Sequence, residues 1–126
     1  MATDSTRPLG ELVFAWRTPT PAIEPELTLL RWQVVETNDG DWRVIGYCKE
    51  RSEGRVSTSI EVIEVTQMRV KSASHRQYQL EGPPGCDPDA EAVWRRVKRA
   101  RMLDETKDHS SQVWHLHKKA SIGRNI

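Results

Sequence analysis

The sequence predicts an α+β domain in which five strands form a mainly antiparallel meander and one C-terminal amphipathic helix packs on the sheet. Residues 27–81 contain runs that alternate apolar and polar side chains, separated by turn residues, which is typical of short antiparallel strands. Residues 82–85, with the sequence GPPG, stop this alternation. Apolar residues then recur at helical spacing after Pro88, which indicates one helix following the sheet.

The length of 126 residues fits a single domain. We expect that domain to span residues 27–117, after a flexible arm and proline-rich connector at 1–26 and before a loose tail at 118–126. Three prolines between residues 19 and 25 exclude helix from the connector and remove backbone donors. The apolar run at residues 12–16 is compatible with an edge strand or with a plug against the core.

Alternation and turn chemistry place the five strands. The first covers residues 27–37 and the second residues 42–49, joined at residues 38–41, where Asn, Asp and Gly tolerate positive φ. The remaining strands are assigned to residues 55–65, 67–72 and 76–81. Such a sheet is compatible with an SH3-like barrel, with an OB-like barrel, or with an open sheet that has one covered face.

The period of two predicts which side chains share a face of the sheet. In the first strand these are Leu30, Trp32 and Val34. In the third strand the corresponding residues are Val56, Thr58, Ile60 and Val62. Gly46, inside the second strand, indicates a bulge or the close approach of another backbone.

The helix has clear start signals. Asp87 is suited to the N-cap, Pro88 to the first helical position, and the acidic Asp89 and Glu91 to the positive end of the helix dipole. The residues expected to face the sheet are Ala90, Val93, Trp94, Val97 and Ala100.

The helix is expected to end near Leu103. Residues 104–111 are polar and predict a loop, and residues 112–117 predict either a final strand or a helical turn.

Three segments carry a family resemblance. Residues 54–60, 78–85 and 89–94 read GRVSTSI, YQLEGPPG and DAEAVW. In that order they resemble small uncharacterised bacterial proteins of the kind carried by mobile elements. The resemblance spans about residues 29–94 and implies a bacterial origin. It implies no activity and no catalytic residue, because no function is attached to those proteins.

The chain contains none of the recurring catalytic motifs, such as GxSxG, GxxxxGK[ST] or HExxH. His115 and His117, with His109 nearby, form the one ligand-like cluster, and on a strand the first two would share a face. Two imidazoles do not make a metal site. We therefore predict no enzyme, no catalytic residue, no metal, no cofactor and no small-molecule substrate.

The two cysteines predict a reducing compartment. Cys48 and Cys86 lack metal-like spacing, and residues 1–10 lack the apolar segment of a signal peptide, so free thiols in the cytoplasm are favoured over a disulfide. Cys48 shares its predicted face with apolar residues, which indicates a buried thiol. No apolar stretch approaches the length needed to span a bilayer, and we expect no membrane partner.

The clearest functional signal is a run of basic residues on the predicted helix. Net charge is only +1, but from residue 82 onward nine Lys/Arg stand against six Asp/Glu. The run consists of Arg95, Arg96, Lys98, Arg99 and Arg101. No acidic residue follows Glu91 until Asp104, and like charges spaced i,i+4, such as Arg95 and Arg99, repel one another.

Such a face is either an ordinary solvated helix surface or a binding surface for an acidic partner. The function we predict is a non-enzymatic binding module that engages an acidic partner or another protein, including a second copy, through this helix face and the sheet. The alternative is a nucleic-acid-binding protein that uses the same cations for phosphate contacts.

Overall fold

The structure is a computed structural model that describes residues 11–13 and 26–124, with side chains at residues 26–120. The described elements are β1 (Glu11–Val13), β2 (Leu27–Thr37), β3 (Trp42–Cys48), β4 (Glu53–Val56), β5 (Ile60–Glu64), β6 (Arg69–Ser72), β7 (Gln77–Glu81), α1 (Pro88–Arg101), β8 (Glu105–Asp108) and α2 (Ser110–Arg124). The α+β class and the mainly antiparallel sheet are confirmed. The predicted five strands and single helix are wrong, since these residues form eight strands and two helices.

The longest strand, β2, holds the sheet together. It pairs antiparallel with β3 along one edge. Along its other edge it pairs parallel with β7 over residues 27–30 and antiparallel with β8 over residues 35–37. Strands from the middle and the end of the chain therefore meet on one early strand.

A bulge divides β2 into two halves. Arg31 has a φ of 47°, and the register with β3 shifts between Leu30 and Gln33. Gly46 of β3 lies opposite, where an added Cβ would be 3.1 Å from the Leu29 Cβ and 3.2 Å from the Leu30 carbonyl oxygen. The close backbone approach predicted at Gly46 is confirmed.

The bulge also changes which side chains face the interior, because an inserted residue reverses the period of two. Leu27 and Leu29 are buried before the bulge, and Trp32 and Val34 after it. The prediction that Leu30 faces the same side as Trp32 and Val34 is wrong, since Leu30 is only half-buried.

The sheet is curled, as its connectivity requires. The strand order is β1-β5-β6-β7-β2-β3-β4, so β4 and β5 lie five strand steps apart, about 24 Å in a flat sheet. Residues 57–59 alone connect them, and the four Cα steps from Val56 to Ile60 reach only about 14 Å. The Ser57 N–H donates to the Val44 carbonyl at 2.9 Å, and the Ser57 hydroxyl accepts from the Val44 N–H at 3.0 Å.

The predicted continuous strand at residues 55–65 is thus two strands separated by the Ser57–Ser59 kink. The first pairs with β3 and the second with β6. A further register shift between Ile60 and Val62 brings Ile60 and Ile63 into the interior. The predicted face of Val56, Thr58, Ile60 and Val62 is therefore wrong.

Two apolar clusters lie on opposite sides of the sheet. The inner one fills the curled sheet and is closed by Val113 of α2. The outer one lies between the convex face of β2 and β3 and helix α1, and its buried members are Val35, Ile45, Ala90, Trp94 and Leu103. The packing of the helix on the sheet through Trp94 is confirmed.

Helix α1 begins as predicted. The Asp87 side chain accepts a hydrogen bond from the Ala90 N–H at 3.0 Å, and Pro88 occupies the first turn. Its buried face is narrower than predicted, because Val97 packs only at the edge of the outer cluster, Val93 is half-buried and Ala100 is exposed.

The C-terminal region differs most from the prediction. The loop expected at residues 104–111 contains β8, whose four residues are all exposed, so backbone pairing with β2 rather than an apolar pattern defines it. Residues 112–117 belong to α2, and this helix continues through the predicted tail as far as Arg124. Neither α1 nor α2 combines the length and hydropathy that a bilayer-spanning helix requires.

The predicted arm and connector at residues 1–26 lie outside the described residues except for 11–13 and Glu26. Residues 11–13 form β1, which pairs parallel with β5 at one end of the sheet, so an edge strand is confirmed for this part of the apolar run.

Gly54 provides a test of the contact between helix and sheet. A Cβ added there would collide with the backbone of Asp89 and Ala90 at the start of α1, and backbone cannot move aside as a flexible side chain can. We expect Gly54→Ala to lower the free energy of unfolding by about 2–3 kcal/mol, measured by urea denaturation. Glu53→Ala, on the same strand but exposed, should cost under about 1 kcal/mol; equal losses in the two variants would contradict this contact.

Candidate interaction site on the basic helix

Helix α1 lies over the outer cluster and presents its basic residues away from the sheet. Arg95, Arg96, Arg99 and Arg101 are exposed, and Lys98 is half-buried. The structure therefore brings all five predicted site residues together along one helix. Burial of Ala90 and Trp94 fixes the rotation of the helix, which leaves the arginines facing solvent.

Lys98 differs from the four arginines because it is already used within the molecule. Its ammonium lies 3.5 Å from the Glu105 Oε1 and 5.5 Å from the centre of the Trp94 ring. The same Glu105 oxygen accepts a 2.6 Å hydrogen bond from the Trp94 indole N–H. Within the described part of the chain the four arginines make no ion pair, so they, rather than Lys98, carry uncompensated charge.

A groove of about 450 Å³ runs beside these cations at the end of α1. It is lined by Arg95, Lys98, Arg99, Met102, Leu103 and Asp104. The sequence predicted the cations but not the groove, because the groove depends on how the helix ends.

Met102 ends the helix in a left-handed conformation, with φ 56° and ψ 47°, and its N–H donates back to the Lys98 carbonyl. Glycine is the usual residue in this position, because a side chain there is strained. The Met102 side chain is nevertheless 83% exposed. An apolar side chain that contributes no burial thus occupies a strained position at the mouth of the groove.

The β2–β3 turn fixes the far wall of the groove. The Asp104 N–H donates to the Asn38 Oδ1 at 3.0 Å, and the Asn38 N–H donates to the Asp104 carbonyl at 3.0 Å. The sequence identified Asn38 as a turn residue. It gave no sign that the turn holds Asp104, which lies 66 residues later, just after the end of α1.

The turn is itself held by a small polar network. The Asp39 carboxylate accepts from the Thr37 hydroxyl at 2.6 Å and from the Asp41 N–H at 3.1 Å. The buried Arg43 guanidinium donates to the Thr37 hydroxyl at 2.8 Å and lies 3.4 Å from Asp39. Burial alone would raise the pKa of Asp39, but the Thr37 hydroxyl, the Asp41 N–H and the Arg43 guanidinium outweigh it and lower the pKa below its ordinary value of 3.8.

The histidine cluster of the sequence is separated in the structure. His115 and His117 lie on α2 rather than on a strand, so their side chains project about 200° apart around the helix axis. The His117 Nδ1 lies 2.7 Å from the Val65 carbonyl, while His115 is exposed. Among the residues described, no group of three His, Cys, Asp or Glu side chains could hold a metal ion.

Sequence reasoning missed the surroundings of His109. This buried ring stacks on Trp42, with 3.8 Å between ring centroids. Its Nε2 lies 2.9 Å from the Glu36 carboxylate and its Nδ1 lies 3.3 Å from Gln112. Both ring nitrogens have partners, and these contacts hold the start of α2 against β2.

Glu64 was missed as well. Its side chain is fully buried. Its Oε1 accepts a 2.9 Å hydrogen bond from the Gln67 N–H. Its Oε2 has no hydrogen-bond partner among the described residues. No pattern in the sequence distinguishes this carboxylate from the half-buried Glu61.

The cysteines and the hydroxyl run have structural roles in this fold. Cys48 and Cys86 are free thiols and Cys48 is buried, as predicted, and Cys86 is exposed. Ser57 closes the sheet against Val44, and the Ser59 hydroxyl donates to the Asp41 carboxylate at 2.5 Å.

In comparisons with protein-family models, with curated proteins and with solved structures, nothing matches this chain.

The Asp39 network predicts a defined pH dependence. Because the folded-state pKa of Asp39 is the lower one, its carboxylate stabilises the fold above about pH 4, and this contribution is lost as the pH falls through the folded-state pKa. Asp39→Asn keeps the turn acceptor but removes the charge. We expect the wild-type advantage in unfolding free energy to be largest near neutral pH and to shrink below about pH 4. Urea titrations across that range measure it, and an advantage that stays constant down to about pH 2 would contradict the assignment.

Proposed function

We propose that the protein is a non-enzymatic binding module that engages an acidic segment of a partner protein through the α1 groove and the arginines beside it. The observation that carries this proposal is the exposed Met102 at the mouth of a groove lined by Arg95 and Arg99. We place the module in the cytoplasm of a bacterial cell, the compartment in which its two free thiols remain reduced.

The charge of α1 supports an acidic partner. Arg95 and Arg99 are one helical turn apart and repel each other, which costs a few tenths of a kcal/mol in the free protein. A carboxylate placed between them removes this repulsion and forms charge-assisted hydrogen bonds with planar guanidinium groups. Arginine clusters also steer an acidic partner during encounter.

Met102 supports a protein partner over nucleic acid. A phosphate backbone contacts cations and donors and gains little from an exposed thioether. A peptide side chain does gain from it, because methionine is flexible and polarisable and packs against apolar groups of varied shape. The geometry therefore fits an acidic segment that also carries one apolar side chain for the groove.

Nucleic acid remains the second candidate for the same surface. Four arginines without ion pairs among the described residues would suit phosphate contacts. The two candidates differ in which probe binds and in how Met102 contributes, since phosphate contacts do not require that side chain.

Charge reversal of the arginine face tests the proposal. A fluorescein-labelled peptide that alternates glutamate with leucine is titrated with the protein at about 50 mM salt, and binding is followed by fluorescence polarisation. Arg95→Glu/Arg99→Glu should weaken binding at least tenfold, about 1.4 kcal/mol or more, with an unchanged urea midpoint. The matched control is Arg51→Glu/Lys107→Glu, because both side chains are exposed and lie outside α1.

Two outcomes would count against an acidic protein partner. Equal weakening by the control pair would mean that only net charge matters. Binding of a random DNA duplex in preference to the peptide, with a steep salt dependence, would favour the nucleic-acid candidate instead.

Met102→Gly separates function from stability. Relief of left-handed strain, about 1–2 kcal/mol, exceeds the entropic cost of glycine, about 0.5–1 kcal/mol. We therefore expect unfolding free energy to rise by up to about 1.5 kcal/mol, while peptide affinity falls severalfold because the apolar contact is lost. Urea denaturation and the same polarisation assay measure the two effects; a more stable variant with unchanged affinity would remove Met102 from the site.

A further inference from the structure

Helix α2 borders a second groove, of about 570 Å³. It is lined by Pro84, Ser111, Trp114, His115, Lys118 and Lys119. The four residues from Trp114 onward recur at i, i+1, i+4 and i+5, so they lie on one face of the helix. The sequence analysis did not predict this face, because it assigned Lys118 and Lys119 to a loose tail and not to the same element as Trp114 and His115.

This groove is cationic. Lys118 and Lys119 are both exposed, and the lining contains no acidic residue. After Asp108 the chain contains no Asp or Glu at all. The groove is therefore suited to an anion and unsuited to a cation or a basic peptide.

The aromatic wall of the groove is held rigidly. Trp114 meets the buried Trp32 edge to face, with 6.4 Å between ring centroids. The Trp32 indole N–H donates to the Gly82 carbonyl at 2.9 Å, and the Trp32 carbonyl accepts from the Gly85 N–H at 3.0 Å. The same tryptophan thus fixes both walls, Trp114 on the helix and Pro84 on the loop.

Lys118 links the aromatic and charged parts of the groove. Its ammonium lies 6.0 Å from the centre of the Trp114 ring, and its exposed side chain can turn from the ring toward an incoming anion. A ligand that places a planar ring against Trp114 and Pro84 would bring an attached anionic group to Lys118 and Lys119.

We propose that this groove binds single-stranded nucleic acid, with one base against Trp114 and Pro84 and the adjoining phosphates at Lys118 and Lys119. Such sites combine a cationic track with an aromatic side chain and tolerate any base, because every base has a planar face. A duplex keeps its bases stacked inside and offers only phosphates, so it cannot use Trp114. The surface is distinct from the α1 groove and does not depend on the function proposed there.

The test uses a fluorescein-labelled ten-nucleotide thymidine strand and fluorescence polarisation at 50 and 200 mM salt. Lys118→Gln/Lys119→Gln should weaken binding at least tenfold at the lower salt concentration and reduce the slope of log affinity against log salt by about 1.4, the value for two lost single-strand phosphate contacts. Arg51→Gln/Lys107→Gln removes the same charge from exposed positions elsewhere and should change affinity less than twofold.

The aromatic contact is tested separately. Trp114→Tyr should retain most of the affinity, whereas Trp114→Leu should lose about tenfold. Because Trp114 also packs on Trp32, urea denaturation accompanies both variants, and the lysine pair tests the proposal if the leucine variant does not fold.

Four results would overturn the proposal. The first is no measurable binding of the strand at 50 mM salt, and the second is equal weakening of binding by the control pair. The third is equal or tighter binding of a duplex of the same length. The fourth is loss of strand binding in Arg95→Glu/Arg99→Glu but not in Lys118→Gln/Lys119→Gln. If the fourth result is obtained and the acidic peptide also displaces the strand, both ligands bind at α1.

Discussion

The fold depends on strand β2 being shared among three partner strands. One edge of β2 pairs with β3. The other edge pairs with β7 in the first half of the strand and with β8 in the second, and the bulge at Arg31 separates the two halves. Without this bulge, the period of two would place Leu27 and Leu29 on the face opposite Trp32 and Val34. The bulge instead lets the strand serve the inner cluster along its whole length, with Val35 left facing the outer one.

Both candidate surfaces follow from this arrangement. The outer cluster fixes α1 through Trp94, so the arginines of that helix face away from the sheet. The inner cluster receives Val113, which sets the rotation of α2 and leaves Trp114 at the edge of the core. The turn after β2 then clamps Asp104 through Asn38. Neither surface has a core of its own; each is the solvent side of a helix that the sheet orients.

The sequence predicted what local chemistry determines. The bounds of β2, the Asp87 cap of α1, the close approach at Gly46 and the burial of Cys48 all come from short-range patterns. It could not predict what distant pairing determines. The bulges in β2 and β5 change which side chains face the interior, and no sequence signal marks them. Strand β8 has four exposed residues and no apolar pattern.

The same limit applies to the site. The basic residues of α1 were predictable from composition and helical spacing. The internal use of Lys98 depends on Glu105, and the groove depends on the left-handed Met102 and on the distant Asn38. The α2 face was missed because Trp114 and His115 were assigned to a strand or a helical turn and Lys118 and Lys119 to a loose tail, whereas all four belong to one helix of 15 residues.

The pairing of β2 with late strands also bears on how the chain reaches its fold. Leu27–Leu30 must find residues 78–81, and Val35–Thr37 must find residues 105–108, so both pairings on this edge of β2 join residues that are far apart in the sequence. High contact order slows folding, because loop-closure entropy is lost before distant contacts compensate for it. During synthesis, at about 5–20 residues per second, several seconds pass between the synthesis of β2 and the synthesis of β8, its last partner strand. A nascent chain of this topology spends that interval with an uncovered strand edge, the period in which chaperone binding or misassembly competes with folding.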